Sequence, residues 1–316
     1  MGFFQDRLKP KRLLAMYLAN EGLYSACVDD TKAGLPILEF CSFHPKAERT
    51  WPNLLDRLLK ESPAKKSQRS LLLAPGEYQI LSVDAMNVPA QELIGALRWR
   101  LKDLIDYPVD EASFDVVSIV GDKATGGRQL SLLAIVARNQ HLRERQTLFD
   151  DAGGDLQVID VPEMAQRNIS ALVEPESRGV AMLSFDENGG LLTVTFAGEL
   201  YLARRLDVRL SQLDVDDAEK RAMLFERITL ELQRSLDNFD RQHNFITTAK
   251  LVLAPLGQVA AELQSYLAAN LYMPVEVLDL SDVLDLSKVS ELKDARRQQM
   301  HFLTIGAALR REVNAT

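Results

Sequence analysis

Metal-binding and disulfide-forming side chains are scarce in this sequence. Its 316 residues include two cysteines and four histidines, and no histidine has a Cys, Asp or Glu partner at the spacing of metal ligands. Cys27 and Cys41 each lie in an alternating apolar run typical of adjacent strands, which favours buried free thiols in a reducing compartment over a disulfide. We therefore expect neither a metal site nor a disulfide framework.

Long apolar runs and an excess of positive charge are also missing. No run of about 18 apolar residues is present to span a membrane, and the N-terminus lacks the apolar segment of a signal peptide. We therefore expect a chain that neither spans a membrane nor is exported. The formal net charge of −8 argues against general nucleic-acid binding, because neutralising phosphates requires a basic surface.

The N-terminus is an exception to this acidic balance. After Phe3 and Phe4 it carries the basic residues Arg7, Lys9, Lys11 and Arg12. Such a segment could make a weak peripheral contact with an anionic membrane surface. A solvated terminus is the more ordinary interpretation of the same residues.

The remaining composition is that of an ordinary folded protein. With 47% hydrophobic and 26% charged residues, the chain can bury a substantial core and is expected to form two lobes. Three strand-like runs followed by a helix occur between Leu13 and Leu59 and again between Val180 and Phe239. This repetition predicts a duplicated α/β lobe with mixed sheets covered by helices.

Four segments spread along nearly the whole chain carry a family resemblance. They are LRWRLKDLIDYPVDEASFDVV (97–117), VIDVPEMAQRNISAL (158–172), ELQRSLDNFDRQ (231–242) and FLTIGAALRR (302–311). In this order they resemble segments of PilM, the actin-like protein of type IV pilus assembly. Among its relatives, the chain looks most similar to the MshI proteins of the mannose-sensitive haemagglutinin (MSHA) pilus. The cytoplasmic part of the type II secretion protein GspL is a more distant relative.

The resemblance implies a two-lobed actin-like α/β fold, built from duplicated ribonuclease H-like lobes with a PilM-type inserted subdomain. We expect residues 1–74 to form the first part of the first lobe and residues 75–151 to form the insert. Residues 152–311 are expected to form the second lobe, with a C-terminal helix that returns to the first lobe. Residues 312–316 would be a tail.

An actin-like nucleotide site requires two strand-turn-strand loops that bring an acidic residue to Mg²⁺ and glycine N–H groups to the phosphates. The family pattern in both loops is roughly Asp-Ile-Gly. In the first loop, the run from Tyr17 to Asn20 offers neither an acid nor a glycine. In the second, Ser184 stands where the Asp belongs and Asp186 where the Gly belongs, so a carboxylate would face and repel the phosphates.

A third element of the family's nucleotide site is also altered. A Gly-Gly pair normally follows the strand equivalent to Lys250–Ala254, whereas this chain has Pro255 and Leu256 there. The pair Gly189-Gly190 remains and is interpreted as a structural turn. No G-x-S-x-G turn of a serine hydrolase is present either. We therefore predict a pseudo-ATPase with no catalytic residue, cofactor or metal.

A partner surface is the remaining candidate site. In the PilM family, the resemblance implies, the insert borders a groove that takes the cytoplasmic tail of a bitopic inner-membrane protein as an extended peptide. The helix predicted from Gln91 to Ile105 could line such a groove. The candidate partner-binding residues are Leu93, Leu97, Arg98, Leu101 and Lys102, although most of its apolar residues could equally form the core of the insert.

The resulting hypothesis is a cytoplasmic scaffold, peripheral at the inner membrane, in an MSHA-like type IV pilus assembly platform. Its expected partner is a PilN-like or other pilus inner-membrane protein, with self-association left open and no role in nucleic-acid binding. Two alternatives stay open. One is a PilM-like ATP-binding protein with weak ATPase activity. The other is a GspL-like type II secretion component, which the absence of a transmembrane segment after Arg311 disfavours.

Overall fold

The computed structural model of the protein describes residues 12–30, 34–60, 67–84, 86, 88–120 and 129–311. Phe3, Phe4 and the basic residues that precede Arg12 lie outside the described residues, as does the tail at 312–316. Within the described residues, no helix is both long and apolar enough to cross a membrane.

The elements of the first half follow one another as β1 (Leu13–Ala19), β2 (Gly22–Asp29), β3 (Ile37–Pro45), α1 (Trp51–Leu59), β4 (Gln68–Leu72), β5 (Tyr78–Asp84), α2 (Ala90–Leu101), β6 (Ala112–Val120), β7 (Gln129–Arg138), α3 (Asn139–Asp151) and β8 (Val158–Asp160). The second half continues with α4 (Pro162–Val173), β9 (Gly179–Asp186), β10 (Gly189–Phe196), β11 (Glu199–Leu206), α5 (Leu210–Leu213), α6 (Ala218–Gln242), β12 (Thr248–Leu253), α7 (Ala260–Asn270), β13 (Val275–Val277) and α8 (Ala295–Ala308).

Local sequence accounts for where several helices begin. Pro162 occupies the first turn of α4, where its fixed φ suits a helix and no N–H is needed. The Asp217 carboxylate accepts hydrogen bonds from two N–H groups at the start of α6, and Asp294 does the same for one at the start of α8. These side chains satisfy backbone donors that have no partner inside the helix.

Two five-stranded sheets repeat the same strand order. The first is ordered β3-β2-β1-β4-β8 and the second β11-β10-β9-β12-β13. In both, the first three strands run antiparallel in hairpins, and the last two are parallel to the strand beside them. The duplicated α/β lobes predicted from the sequence are therefore present.

Alternating side chains place helices on both faces of each sheet. In β1, Leu14 and Met16 pack with α1 and α3, whereas Ala15 and Tyr17 point to the layer between the sheets. In the second sheet, one set of residues packs with α6 and α7, while the other set joins this middle layer. Because strand side chains alternate between faces, both sheets are buried on two sides.

Helices α4 and α8 fill the layer between the two sheets, and each packs on the sheet that it does not follow in sequence. Helix α4 follows β8 of the first sheet yet contacts β9, β10 and β11, whereas α8 comes after β13 and contacts β1 to β4. The two helices touch closely at Gly306, where an added Cβ would lie 2.3 Å from the carbonyl oxygen of Ala165. The lobes are thus joined by an exchanged pair of helices.

The insert consists of a three-stranded antiparallel sheet, ordered β5-β7-β6, and the helices α2 and α3. Helix α2 packs on one sheet face around Leu97, Leu132 and Val136. On the other face, Leu133 belongs to the core of the second lobe. Elements β5 to α3 lie within residues 75–151, although Phe149 of α3 is buried in the core of the first lobe.

Two helices of the insert differ from the sequence prediction. Helix α2 ends at Leu101 instead of continuing to Ile105. Helix α3 was not predicted at all, because Phe149 is its only fully buried residue and one buried position makes no helical period.

Candidate functional site

The turn of the β9–β10 hairpin meets strand β1 of the corresponding β1–β2 hairpin between the lobes. The side-chain amide of Asn188, in the second turn, donates a hydrogen bond of 2.9 Å to the hydroxyl of Tyr17 on β1. Tyr17 is 7% exposed, whereas Asn20 lies at the exposed end of the first turn. The structure thus brings Tyr17 into the predicted nucleotide region and leaves Asn20 at the surface.

Asp186 directs its carboxylate back onto its own turn. It accepts a 2.7 Å hydrogen bond from the backbone N–H of Asn188 and a 3.3 Å bond from the same residue's side chain. Burial raises the pKa of Asp186, while the Asn188 N–H and the charge of Arg205 act in the opposite direction. The carboxylate therefore fixes the turn that carries Asn188.

Burial, followed by the nearby Asp186 carboxylate, raises the pKa of Tyr17 well above its usual value. The phenol therefore stays protonated at neutral pH, and its oxygen accepts the Asn188 hydrogen bond.

Ser184 belongs to a buried hydrogen-bond network on the inner face of β9. Its hydroxyl donates to the side-chain carbonyl of Gln166 on α4. The amide nitrogen of Gln166 in turn lies 2.9 Å from the Met182 carbonyl, 3.0 Å from the Leu191 carbonyl and 3.0 Å from the Thr193 hydroxyl. Ser184 therefore helps to hold α4 against the second sheet.

The remaining glycine pair has a structural role in this hairpin. Gly189 has a φ of +124°, and an added Cβ would lie 2.6 Å from the Leu206 carbonyl oxygen. At Gly190, a Cβ would meet the Phe185 ring at 2.8 Å. Both positions require glycine for the packing of β9, β10 and β11.

The segment after β12 is buried as well. Pro255 and Leu256 are both buried, and Leu256 packs in the core of the second lobe. Gly257 follows with a φ of +58° and turns the chain into α7.

A buried charged cluster, which the sequence prediction missed, lies beside these residues. The Glu163 carboxylate on α4 accepts a 2.6 Å hydrogen bond from the Tyr78 hydroxyl and contacts the Arg205 guanidinium at 2.8 Å. Arg205 also donates to the Tyr78 hydroxyl at 3.0 Å. Tyr78 begins the insert, Glu163 lies on α4 and Arg205 on β11, so the cluster joins the insert to the second lobe.

The opposite charges of Glu163 and Arg205 stabilise each other in this cluster. Burial alone would lower the pKa of Arg205, but the adjacent Glu163 raises it, and burial followed by Glu163 raises the pKa of Tyr78. The sequence offered one indication of this cluster, since the charged Arg205 lies in a strand that is otherwise largely apolar. Its partners are 127 and 42 positions away, and no local pattern connects them.

The predicted partner residues divide into two groups. Leu97 and Leu101 are fully buried in the core of the insert, so in this structure they stabilise α2 and present no surface to a partner. Leu93 is partly buried. Arg98 and Lys102 are exposed.

Large apolar side chains outside the set of predicted partner residues lie beside Arg98 and Lys102. Trp99 is 74% exposed, Ile94 51% and Leu104 46%, and the Lys102 ammonium lies 5.7 Å from the centre of the Trp99 ring. Arg98 is held by the Val109 carbonyl and the Asp110 carboxylate, each at 3.3 Å. We call Ile94, Arg98, Trp99, Lys102 and Leu104 the α2 surface.

Metal ligands are not grouped in the part of the chain that the structure describes. No set of three or more His, Cys, Asp or Glu side chains there is arranged to hold a metal ion. Cys27 and Cys41 are both free thiols on adjacent strands, and burial raises the pKa of each.

Comparisons with solved structures establish the fold. The chain resembles a chain of a PilM-PilN type IV pilus biogenesis complex, with a TM-score of 0.71 and 17% identity over 96% of this chain and 98% of that one. The cytoplasmic domain of EpsL, an inner membrane component of the type II secretion system of Vibrio cholerae, gives a TM-score of 0.46 at 17% identity, over 77% of this chain and 81% of that one. No family model matches the chain, and no curated protein matches it. The protein has the two-lobed actin-like α/β fold that its sequence predicts.

Proposed function

We propose that this chain is a scaffold of an MSHA-like type IV pilus assembly platform, at the cytoplasmic face of the inner membrane, and that it works by binding and not by hydrolysing ATP. Similarity to the PilM-PilN complex over 96% of the chain supports the pilus assignment. The observation that carries the non-enzymatic role is the direct contact between Tyr17 on β1 and Asn188 in the β9–β10 turn.

Two features of the cleft between the lobes argue against nucleotide binding. The Asn188 N–H, which could serve a phosphate, is bonded to Asp186, and the Asp186 carboxylate would repel a polyphosphate. Ser184 is engaged with Gln166 and carries no charge for Mg²⁺.

The partner in this proposal is the cytoplasmic tail of a PilN-like inner-membrane protein. Strand β5 lies at an edge of the insert sheet, where an extended peptide can form main-chain hydrogen bonds. The α2 surface offers apolar contact at Trp99 together with the positive charges of Arg98 and Lys102. An exposed Trp beside basic side chains is a typical anchor of a binding surface.

The proposal is tested by titrating a fluorescent peptide of the tail of a pilus inner-membrane protein into the full chain. We expect saturable binding that weakens about tenfold in Trp99→Ala, the effect of losing one anchoring side chain. Arg98→Glu should also weaken binding, because it reverses a charge on the same surface.

The matched control is Tyr272→Ala, which removes a fully exposed aromatic ring from the second lobe. It should bind the peptide as the wild type does. No measurable affinity in the wild type would contradict the adaptor role. Equal binding by wild type and Trp99→Ala would move the site away from α2.

A further inference from the structure

We propose that Tyr17 and Asn188 form a clasp that holds the two lobes closed without a ligand between them. This inference concerns how the lobes are held together, and it does not depend on the identity of the membrane partner. It rests on hydrogen bonds and packing in the described residues.

The clasp joins parts of the chain that are 171 positions apart. Tyr17 is buried on the inner face of β1, where Ala15 and Tyr24 also face the middle layer. Its hydroxyl can therefore reach only what lies between the lobes. Asn188 is exposed in its turn, so the bond can open without unpacking a core.

Asp186 holds the Asn188 side chain in position for this contact. One carboxylate oxygen of Asp186 accepts the Asn188 backbone N–H and the other accepts its side-chain amide, which also donates to Tyr17. A side chain fixed beforehand loses less conformational entropy when it forms a further bond.

The exchanged helices join the lobes independently of the clasp. Helices α4 and α8 meet with close backbone approach at Ala165 and Gly306, and the Asn168 amide donates to the Gly306 carbonyl at 2.9 Å. This crossing keeps the lobes joined whether or not the clasp is formed. The clasp then determines how tightly the β9–β10 turn is held against β1.

Hydrogen–deuterium exchange of the full chain tests the clasp. We expect Tyr17→Phe to accelerate amide exchange about fivefold in the turn at 186–189, in the opposite lobe, the effect of losing one hydrogen bond. Asn188→Ala should accelerate exchange in the β1–β2 turn by a similar factor. The double variant should exchange no faster than the single ones, because both changes remove the same contact.

The matched control is Tyr24→Phe. Tyr24 is the direct cross-strand neighbour of Tyr17, but its hydroxyl donates to Glu21 in the same lobe. Its loss should affect the first hairpin alone. If neither Tyr17→Phe nor Asn188→Ala alters exchange in the opposite hairpin, or if Tyr24→Phe alters the turn at 186–189 equally, the clasp is refuted.

Discussion

His301 is the side chain from which a pH effect on stability can be derived most directly. It lies on α8 with 8% of its surface exposed, edge-on to the Tyr24 ring at 5.4 Å. Its Nδ1 has no hydrogen-bond partner among the described residues. The pKa of His301 is lowered to about 4, mainly by burial and also by the charge of Arg297, while Glu291 opposes the shift.

This pKa predicts that the folded state loses stability on acidification. The unfolded chain binds a proton near the ordinary histidine pKa of about 6.5, whereas the folded chain does so only near 4. Between these values the unfolded state holds more protons, so the free energy of unfolding falls as the pH decreases. The contribution of His301 is present above about pH 6.5, and its loss by pH 4 is about 3 kcal/mol.

The measurement is urea unfolding at pH 7 and pH 4 for wild type and His301→Leu. The leucine variant should lose less stability on acidification, and the difference isolates His301 from other titrating groups. His141→Gln serves as control, because His141 is more accessible and pairs with Glu144 on its own helix. Identical pH dependence of wild type and His301→Leu would contradict the prediction.

At the level of single residues, sequence reasoning selected several cleft positions but not their contacts. Tyr17, Ser184 and Asp186 do lie on the inner faces of their strands, because alternation fixes which side each residue occupies. Asn188 and Glu163 were missed, since their importance comes from partners on other elements. A one-dimensional pattern carries no information about contacts across so many residues.

Among the contacts between elements, the α4–α8 contact is the one at which added side-chain volume should destabilise the protein most. Gly306→Ala would place a Cβ against the backbone of Ala165, which cannot move without shifting α4. We expect a loss of about 1–3 kcal/mol in the free energy of unfolding, as for other overpacked cores. Urea denaturation measures this loss.

Gly95→Ala in α2 is the matched control for that substitution. An added Cβ at Gly95 meets nothing within 4 Å, so the better helix propensity of alanine should stabilise the protein by roughly 0.5–1 kcal/mol. A similar effect of both substitutions would show that the α4–α8 contact is not as tight as described.

A second prediction compares how substitutions on the buried and the exposed faces of α2 affect stability. Leu97→Ala should lower the free energy of unfolding by about 2–5 kcal/mol, because it removes a fully buried side chain from the core of the insert. Trp99→Ala should change it by less than about 0.5 kcal/mol, as at other surface positions. Thermal or urea unfolding distinguishes them, and equal losses would mean that Trp99 is not a surface residue.

Elements with strong periodicity were predictable from the sequence. The predicted helix at Pro162 to Val173 has the observed bounds of α4, and α1 buries the leucines that its spacing selects. Helix α3 was missed because it packs through so few residues. The return of α8 to the first lobe was expected from the family resemblance and not from periodicity, since α4 and α8 are simply amphipathic helices in the sequence.

For the whole molecule, the proposed absence of ATP binding predicts that ATP does not change the melting temperature. A ligand present at 100 times its Kd would add about 2.7 kcal/mol to the stability of the folded state. We therefore expect no change of Tm in millimolar ATP with Mg²⁺, for wild type or for Tyr17→Phe. A saturable rise in Tm for the wild type would support the alternative of an ATP-binding protein with weak ATPase activity.

The exchange of helices between the lobes also has a consequence for synthesis on the ribosome. The inner face of the first sheet is covered by α8, whose last turn is followed by Arg310, bonded to Asp160 at 2.8 Å. When residues 13–72 leave the exit tunnel, the segment that covers them has not yet been translated. The inner face of the first sheet therefore stays uncovered by α8 until residues 295–308 have been translated.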